Sequence, residues 1–135
     1  MWHWRIKSPF AQTVVVGDQV FISGQQTLDS NGTVLNPGDI AVQTRNVFEN
    51  MKKSLAVLDL ELSDLVRLNT YYVFEGDDTA ATAYWEDMTR VRLEYFPDPG
   101  PAATAVRAKG MPYDCLLYTS PSPRDLSTAR MPSSA

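Results

Sequence analysis

The segment LVRLNTYYVF, residues 65–74, decides the fold, because its side chains fall into two alternating sets. Alternate residues of an extended chain share one face. One face carries Val66, Leu68, Thr70, Tyr72 and Phe74. The other face carries Arg67, Asn69, Tyr71 and Val73. This period of two predicts a β-strand with one side packed against a core.

Helical patterns flank this strand on both sides. Residues 40–58 carry apolar side chains at steps of three or four, which is the stripe of an amphipathic helix. Asp39 is its predicted N-cap, because a carboxylate accepts from the free N–H groups of a first turn. The same spacing recurs over residues 81–95, with Asp78 or Thr79 as the N-cap and the aromatic members packed in the core.

The remaining strands complete a simple order of elements. Residues 12–23 form two β-branched runs split by Gly17 and Asp18, which predicts a hairpin, and residues 102–108 form a short strand of small residues. Strands that alternate with helices in this way predict an α+β two-layer sandwich, a mixed β-sheet with two helices on one face. The last strand would leave an exposed edge, so we expect that the final strand of the domain is missing.

Composition excludes several classes of function. A length of 135 residues indicates one domain, and a net charge of −4 without a basic stripe argues against a nucleic-acid partner. One Cys and one His exclude a Cys/His zinc site and a disulfide within the chain. No apolar run spans a bilayer and no signal peptide is visible, so we expect no membrane partner and a cytoplasmic location.

Short motifs spread along the chain carry a family resemblance. In order, they are VFISGQ (20–25), a turn with Gly32, PGD (37–39), QTRN (43–46), PAAT (101–104) and MPYD (111–114). The Ser-Gly-Gln element alone is weak, but the whole set, at suitable spacing over about residues 8–114, resembles the RidA/YjgF family.

The resemblance implies a specific fold and chemistry. The family fold is chorismate-mutase-like, usually a homotrimer with small-molecule clefts between subunits. Its best-known members are hydrolases that convert reactive enamines and imines, such as 2-aminoacrylate, to 2-keto acids and ammonia, without a metal or an organic cofactor. An Arg clamps the substrate carboxylate through paired hydrogen bonds. A Glu on the last strand is thought to position or activate water.

The Ser-Gly-Gln wall of the family cleft falls on Ser23, Gly24 and Gln25. The upstream Tyr of the family falls on Phe10, which keeps the ring and loses the hydroxyl. A serine that ends a strand before glycine is often only a turn residue. Because His3 is the only histidine, a Ser-His triad is excluded in practice, and we expect Ser23 to serve as a hydrogen-bonding wall rather than a nucleophile.

The charged positions of the family cleft are altered. The clamping Arg falls on Ala103, with Thr104 and Ala105 as neighbouring cleft positions, and the Glu falls on Tyr118. Arg107 would compensate only if the strand register shifted by several residues. Loss of the Arg removes charge-assisted hydrogen bonds worth about 1.5–3 kcal/mol each. The resemblance therefore implies that no catalytic set is intact.

Three functions stay open at this point. The first is an enamine/imine deaminase, which rests on the resemblance over the whole domain. The second is a non-catalytic or differently specialised small-molecule-binding homotrimer of an Arg-less branch, which rests on Phe10 and Ala103. The third is a nucleic-acid role, described for some family members, which the acidic balance disfavours.

The sequence pattern changes after Asp114. Residues 115–125 can be encoded by a string that resembles the adapter of transposase-based sequencing libraries, and residues 130–135 fit the distal part of that adapter. We therefore expect a RidA/YjgF-like domain at residues 1–114, truncated at its C-terminus. Residues 115–135 are expected to form a non-native, disordered tail that leaves the chain inactive.

Overall fold

The computed structural model of this chain describes residues 9–29, 31, 33–111 and 115–120. Within them lie two α-helices and five β-strands. In chain order, these are β1 (Thr13–Val16), β2 (Gln19–Ile22), α1 (Ile40–Ala56), β3 (Arg67–Val73), α2 (Asp78–Tyr95), β4 (Ala102–Ala108) and β5 (Leu117–Ser120). A single 3-10 turn, Leu62–Asp64, precedes β3. The predicted order of strands and helices through β4 is confirmed.

The strands pair as a hairpin and a three-stranded mixed sheet. β1 and β2 are antiparallel, and Gly17 adopts a positive φ of 59° in the tight turn between them. In the larger sheet, β3 lies in the centre, parallel to β4 and antiparallel to β5. An isolated bridge between Gln25 and Thr119 joins the segment after the hairpin to β5. The α+β class with a mixed sheet is therefore confirmed.

Side-chain caps begin both helices. Asp39 accepts a hydrogen bond from the backbone N–H of Val42 at 3.1 Å, as the sequence predicts. The cap of α2 is Asp77, which accepts from the N–H of Ala80 at 2.8 Å, so the predicted cap at Asp78 or Thr79 is wrong by one or two positions. Adjacent Asp residues are equally good caps by composition, and only the backbone geometry separates them.

The core lies between the helices and one face of the β3 sheet. Leu68 and Thr70 of β3 are buried, as the alternation predicts. The larger cluster consists of Ile22, Phe48, Met51, Leu55, Leu62, Leu65, Leu68, Val91 and Phe96. A second cluster consists of Ile40, Val47, Met88 and Leu117. The helical pattern predicts Trp85 in the core, but the residue is 42% exposed, because it lies at the margin of the α2 stripe, where it lines a small cavity with Ala105 of the edge strand.

The sequence predicts a disordered tail over residues 115–135, and within the described part of that range Leu117–Ser120 form β5. Cys115, Leu117 and Thr119 alternate inward and are buried, while the β5 backbone pairs with β3. The final strand is therefore present, although it is only four residues long. It lies beside β3, so the edge of β4 stays open, as the weak pattern of residues 102–108 predicts.

Some sequence predictions lie outside the described residues. The domain boundary at Asp114, the Pro112-Tyr113-Asp114 part of one motif, Gly32, His3 and residues 121–135 are among these. The adapter origin of residues 115–135 stays a prediction. Within the described part of the chain, no helix is both long enough and apolar enough to cross a membrane.

Candidate functional site

One row of residues across the sheet locates the predicted cleft positions. Gln25 is bridged to Thr119, which pairs with Thr70, which pairs with Ala105. Neighbouring strands lie about 4.8 Å apart, so Gln25 and Ala105 are separated by roughly 14 Å across β5 and β3. The Ser-Gly-Gln wall and the β4 positions therefore lie on opposite sides of the sheet centre, and one chain does not bring them together.

Ser23 hydrogen-bonds the end of β2 to the segment before β1. Its hydroxyl donates to the carbonyl of Ala11 at 2.5 Å, and its backbone N–H donates to the carbonyl of Gln12 at 2.9 Å. The hydroxyl proton is thus used within the chain, which leaves the oxygen lone pairs for a ligand donor. This arrangement suits a wall residue and does not activate the oxygen as a nucleophile.

Gly24 and Gln25 are buried and hold the hairpin to β5. The Gln25 side-chain amide donates to the carbonyl of Ser23 at 2.8 Å. Its backbone N–H donates to Thr119 at 2.8 Å and its carbonyl accepts from Thr119 at 3.2 Å. Because these groups face the interior, the Gln25 side chain contributes to folding and is not presented to a ligand in the single chain.

Phe10 lies at the surface. Its residue is 76% exposed, although a phenyl ring is strongly favoured in apolar surroundings. The single chain therefore leaves this predicted cleft residue without a cleft around it.

Ala103, Thr104 and Ala105 are exposed on the edge strand. Their register places Ala103 and Ala105 on the helix side of the sheet and Thr104 on the outer side. The Thr104 hydroxyl accepts from the Arg67 guanidinium at 3.3 Å, a contact that the sequence pattern did not reveal. Of the two described arginines nearest in register, Arg67 donates to Thr104 and Arg107 to Phe74 and Gly76, so neither takes the place of the clamp at Ala103.

Arg107 is held away from the Ala103 position. Its guanidinium donates to the carbonyls of Phe74 and Gly76 at 2.9 and 3.0 Å, and it lies 5.4 Å from the centre of the Phe74 ring. These contacts fix the loop between β3 and α2. The register shift that would let Arg107 replace the clamp does not occur, because Ala103 pairs with Leu68 and Arg107 with Tyr72.

Tyr118 occupies the position where the resemblance implies Glu. Its backbone pairs with Tyr71, which in turn pairs with Val106. Tyr118 and Val106 therefore occupy the same row of the sheet, on the two strands that flank β3.

Cys115 is not a reactive thiol in this fold. The residue is buried, and burial raises the pKa of its thiol, so the nucleophilic thiolate is disfavoured at neutral pH. Among the residues that the structure describes, no three His, Cys, Asp or Glu side chains form a cluster that could hold a metal ion.

Comparisons with known proteins give one consistent result. The sequence model of the family described as Endoribonuclease L-PSP matches residues 4–117. A RutC family protein of Sulfurisphaera tokodaii is 33% identical over 109 residues, which cover 81% of this chain and 82% of that protein. The 3-aminoacrylate deaminase RutC of Acinetobacter baylyi is 31% identical over 110 residues, 82% of each chain. A putative endoribonuclease of Thermotoga maritima has a similar structure, with a TM-score of 0.73, 28% identity and 84% of each chain covered.

Proposed function

The chain belongs to the RidA/YjgF family, and on that premise we propose that it binds a small uncharged molecule in a cleft between two subunits. The cleft lacks the cationic clamp that a carboxylate substrate needs. One observation carries this proposal, namely the exposed methyl group of Ala103 where the family resemblance calls for Arg. Deamination of 2-aminoacrylate is accordingly weak or absent.

Exposed apolar surface supports a neighbouring subunit. The first six residues of β4 are exposed, and its partner β3 presents Tyr71 outward. Val106 pairs with Tyr71 and is 43% exposed, so the two form an apolar contact on the outer side of the sheet. An open strand edge can pair with another chain, and a large exposed apolar face can pack against one. A homotrimer would place the Ser23 wall of one subunit against the β4 positions of the next.

The charge distribution supports an uncharged ligand. Arg107 is held by two backbone carbonyls, and the Arg67 guanidinium donates to Thr104 at the outer side. Neither guanidinium reaches the helix side at Ala103. A carboxylate bound at Ala103 would lose its water without gaining a charge-assisted hydrogen bond from Arg67 or Arg107, which is a net cost. An uncharged amide or carbonyl ligand loses less hydration energy on binding there and needs no cationic partner.

A second candidate, enamine/imine deamination, is favoured by the named relative from Acinetobacter baylyi. The sequence carries Tyr118 where the resemblance implies the Glu that activates water, so attack on a bound imine would lack that general base. The two candidates differ in one measurable quantity, the release of ammonia from 2-aminoacrylate.

The test compares ammonia release by the wild-type chain and by variants of the altered positions. We expect wild-type release at the protein-free rate. The variant Ala103→Arg should raise it roughly tenfold or more, since a charge-assisted hydrogen bond is worth about 1.5–3 kcal/mol. Ala102→Arg is the matched control, because it adds the same charge one residue away on the opposite face. Rapid release by the wild-type chain would establish the deaminase candidate instead.

A binding measurement tests the ligand class separately. The probes are 2-oxobutanamide and 2-oxobutanoate, which differ only in an uncharged amide against a carboxylate. Ligand-observed NMR should detect the amide and not the acid with wild-type protein. Preference for the acid would contradict the proposal, whatever the ammonia assay gives.

A further inference from the structure

A small cavity lies between the helices and the sheet, on the other side of β4 from Thr104. Its volume is about 10 Å³, which is room for roughly one water-sized sphere. Both helices and all three strands of the larger sheet contribute to its walls. Met88 and Leu117 form part of its apolar lining, and no carboxylate lines it.

Arg92 brings a positive charge to this cavity. Its guanidinium donates to the Thr70 hydroxyl at 2.9 Å. Within the described residues, no carboxylate lies within salt-bridge distance of Arg92, in contrast to Arg45 and Arg90 on the surface. Burial lowers the pKa of Arg92, which reflects the cost of a charge held away from water. A guanidinium has five N–H donors, so most of its hydrogen-bonding capacity is left over.

Two hydroxyl groups accompany this charge. Thr119 is 0% exposed, and its Oγ1 has no hydrogen-bond partner among the described residues. Thr119 pairs with Thr70, so the two side chains lie on the same face, about 5 Å apart. The Thr70 oxygen accepts from Arg92, so its own proton is free to donate. The cavity therefore gathers hydroxyl and guanidinium donors around one small space.

We propose that this cavity is a binding site for one monatomic anion, with chloride as the ligand, held by Arg92, Thr70 and Thr119. Hydroxyl and guanidinium donors surround a positive charge here and no carboxylate belongs to the lining, which favours an anion. The volume selects among anions, since carboxylates, sulfate and phosphate have several non-hydrogen atoms and do not fit. Ala105 lines this cavity and is also a position of the proposed ligand cleft, but the anion site rests on Arg92, Thr70 and Thr119 and stands without that cleft.

Thermal unfolding of the full 135-residue chain tests the site. Sodium chloride is exchanged for sodium gluconate, whose anion is too large to enter, at constant ionic strength. We expect chloride to raise the wild-type Tm by about 3–6 °C at tenfold excess over its Kd, in a saturable manner. Arg92→Met should abolish this rise. Arg90→Met, an exposed arginine on the same helix, is the matched control and should keep it. Equal responses of wild type and Arg92→Met would overturn the proposal.

Crystals of the wild-type chain grown in sodium bromide give a direct answer that needs no variant. We expect one anomalous scattering peak in contact with the Arg92 guanidinium and the Thr119 hydroxyl. Bromide confined to the outer surface, with a water molecule or nothing in the cavity, would contradict the assignment.

Discussion

Replacement of Leu117 by Ala measures how firmly β5 belongs to the domain. Leu117 is 1% exposed and packs in the second cluster with Ile40, Val47 and Met88. The substitution removes three buried carbon groups, worth about 0.8 kcal/mol each, and leaves a cavity that adds a further cost. We therefore expect the free energy of unfolding to fall by about 3 kcal/mol, within the range usual for buried Leu→Ala changes.

Urea denaturation followed by circular dichroism gives this quantity as a shift of the midpoint at constant slope. Leu93→Ala is the matched control, since Leu93 lies on α2 and is 68% exposed. Its unfolding free energy should change by less than about 0.5 kcal/mol. If Leu117→Ala behaved like this control, residues 115–120 would be an unpacked tail, and the reasoning about β5 would be refuted.

The other predictions concern single polar groups. Gln43→Leu removes the Oε1 atom that accepts a hydrogen bond from the Leu116 N–H at 3.1 Å. The free energy of unfolding should fall by about 1–3 kcal/mol, and hydrogen exchange of the Leu116 amide should become faster. Unchanged exchange would contradict that role. The Tyr84 hydroxyl is buried without a described partner, and burial raises its pKa from its usual 10 to about 12. The neutral Tyr84 hydroxyl therefore contributes its full stabilisation below pH 10, and this stabilisation is lost as the pH rises to 12. Tyr84→Phe should make the Tm fall less between pH 10 and pH 12. A pH dependence of Tm equal to that of the wild type would refute this. Glu94→Gln breaks the exposed ion pair with Arg45 and should lower the Tm slightly at low salt. Because salt screens exposed charges, this decrease should vanish in 1 M salt. A decrease that persists in 1 M salt would indicate another cause.

Strong periodicity made the central elements predictable from the sequence. The alternation around Leu68 and the helical stripe ending near Leu55 each extend over ten residues or more, so local pattern and final burial agree. The Asp39 cap follows from its position directly before such a stripe. These features depend on residues that are close together in the sequence, so one sequence is enough to predict them.

β5 and the cavity could not be predicted, because they depend on partners distant in sequence. Residues 115–120 are too few to show a clear hydrophobic period, and the Ser- and Pro-rich sequence that follows is not typical of a strand. Arg92 occupies an ordinary surface position of the helical pattern, and only the packing of α2 on Thr70 turns it inward. The separation of Ser23 from Ala103 likewise follows from strand order, which no motif encodes.

The native mass of the assembly tests the central claim, that the ligand cleft forms between subunits, most directly. Native mass spectrometry of the 135-residue chain should give about 45 kDa, three times the 15.1 kDa of one chain. Val106→Glu places a charge on the exposed outer side of β4 and should shift the mass toward 15.1 kDa, whereas the same change at exposed Val57 should not. A wild-type chain that stays at 15.1 kDa at micromolar concentration would contradict the claim.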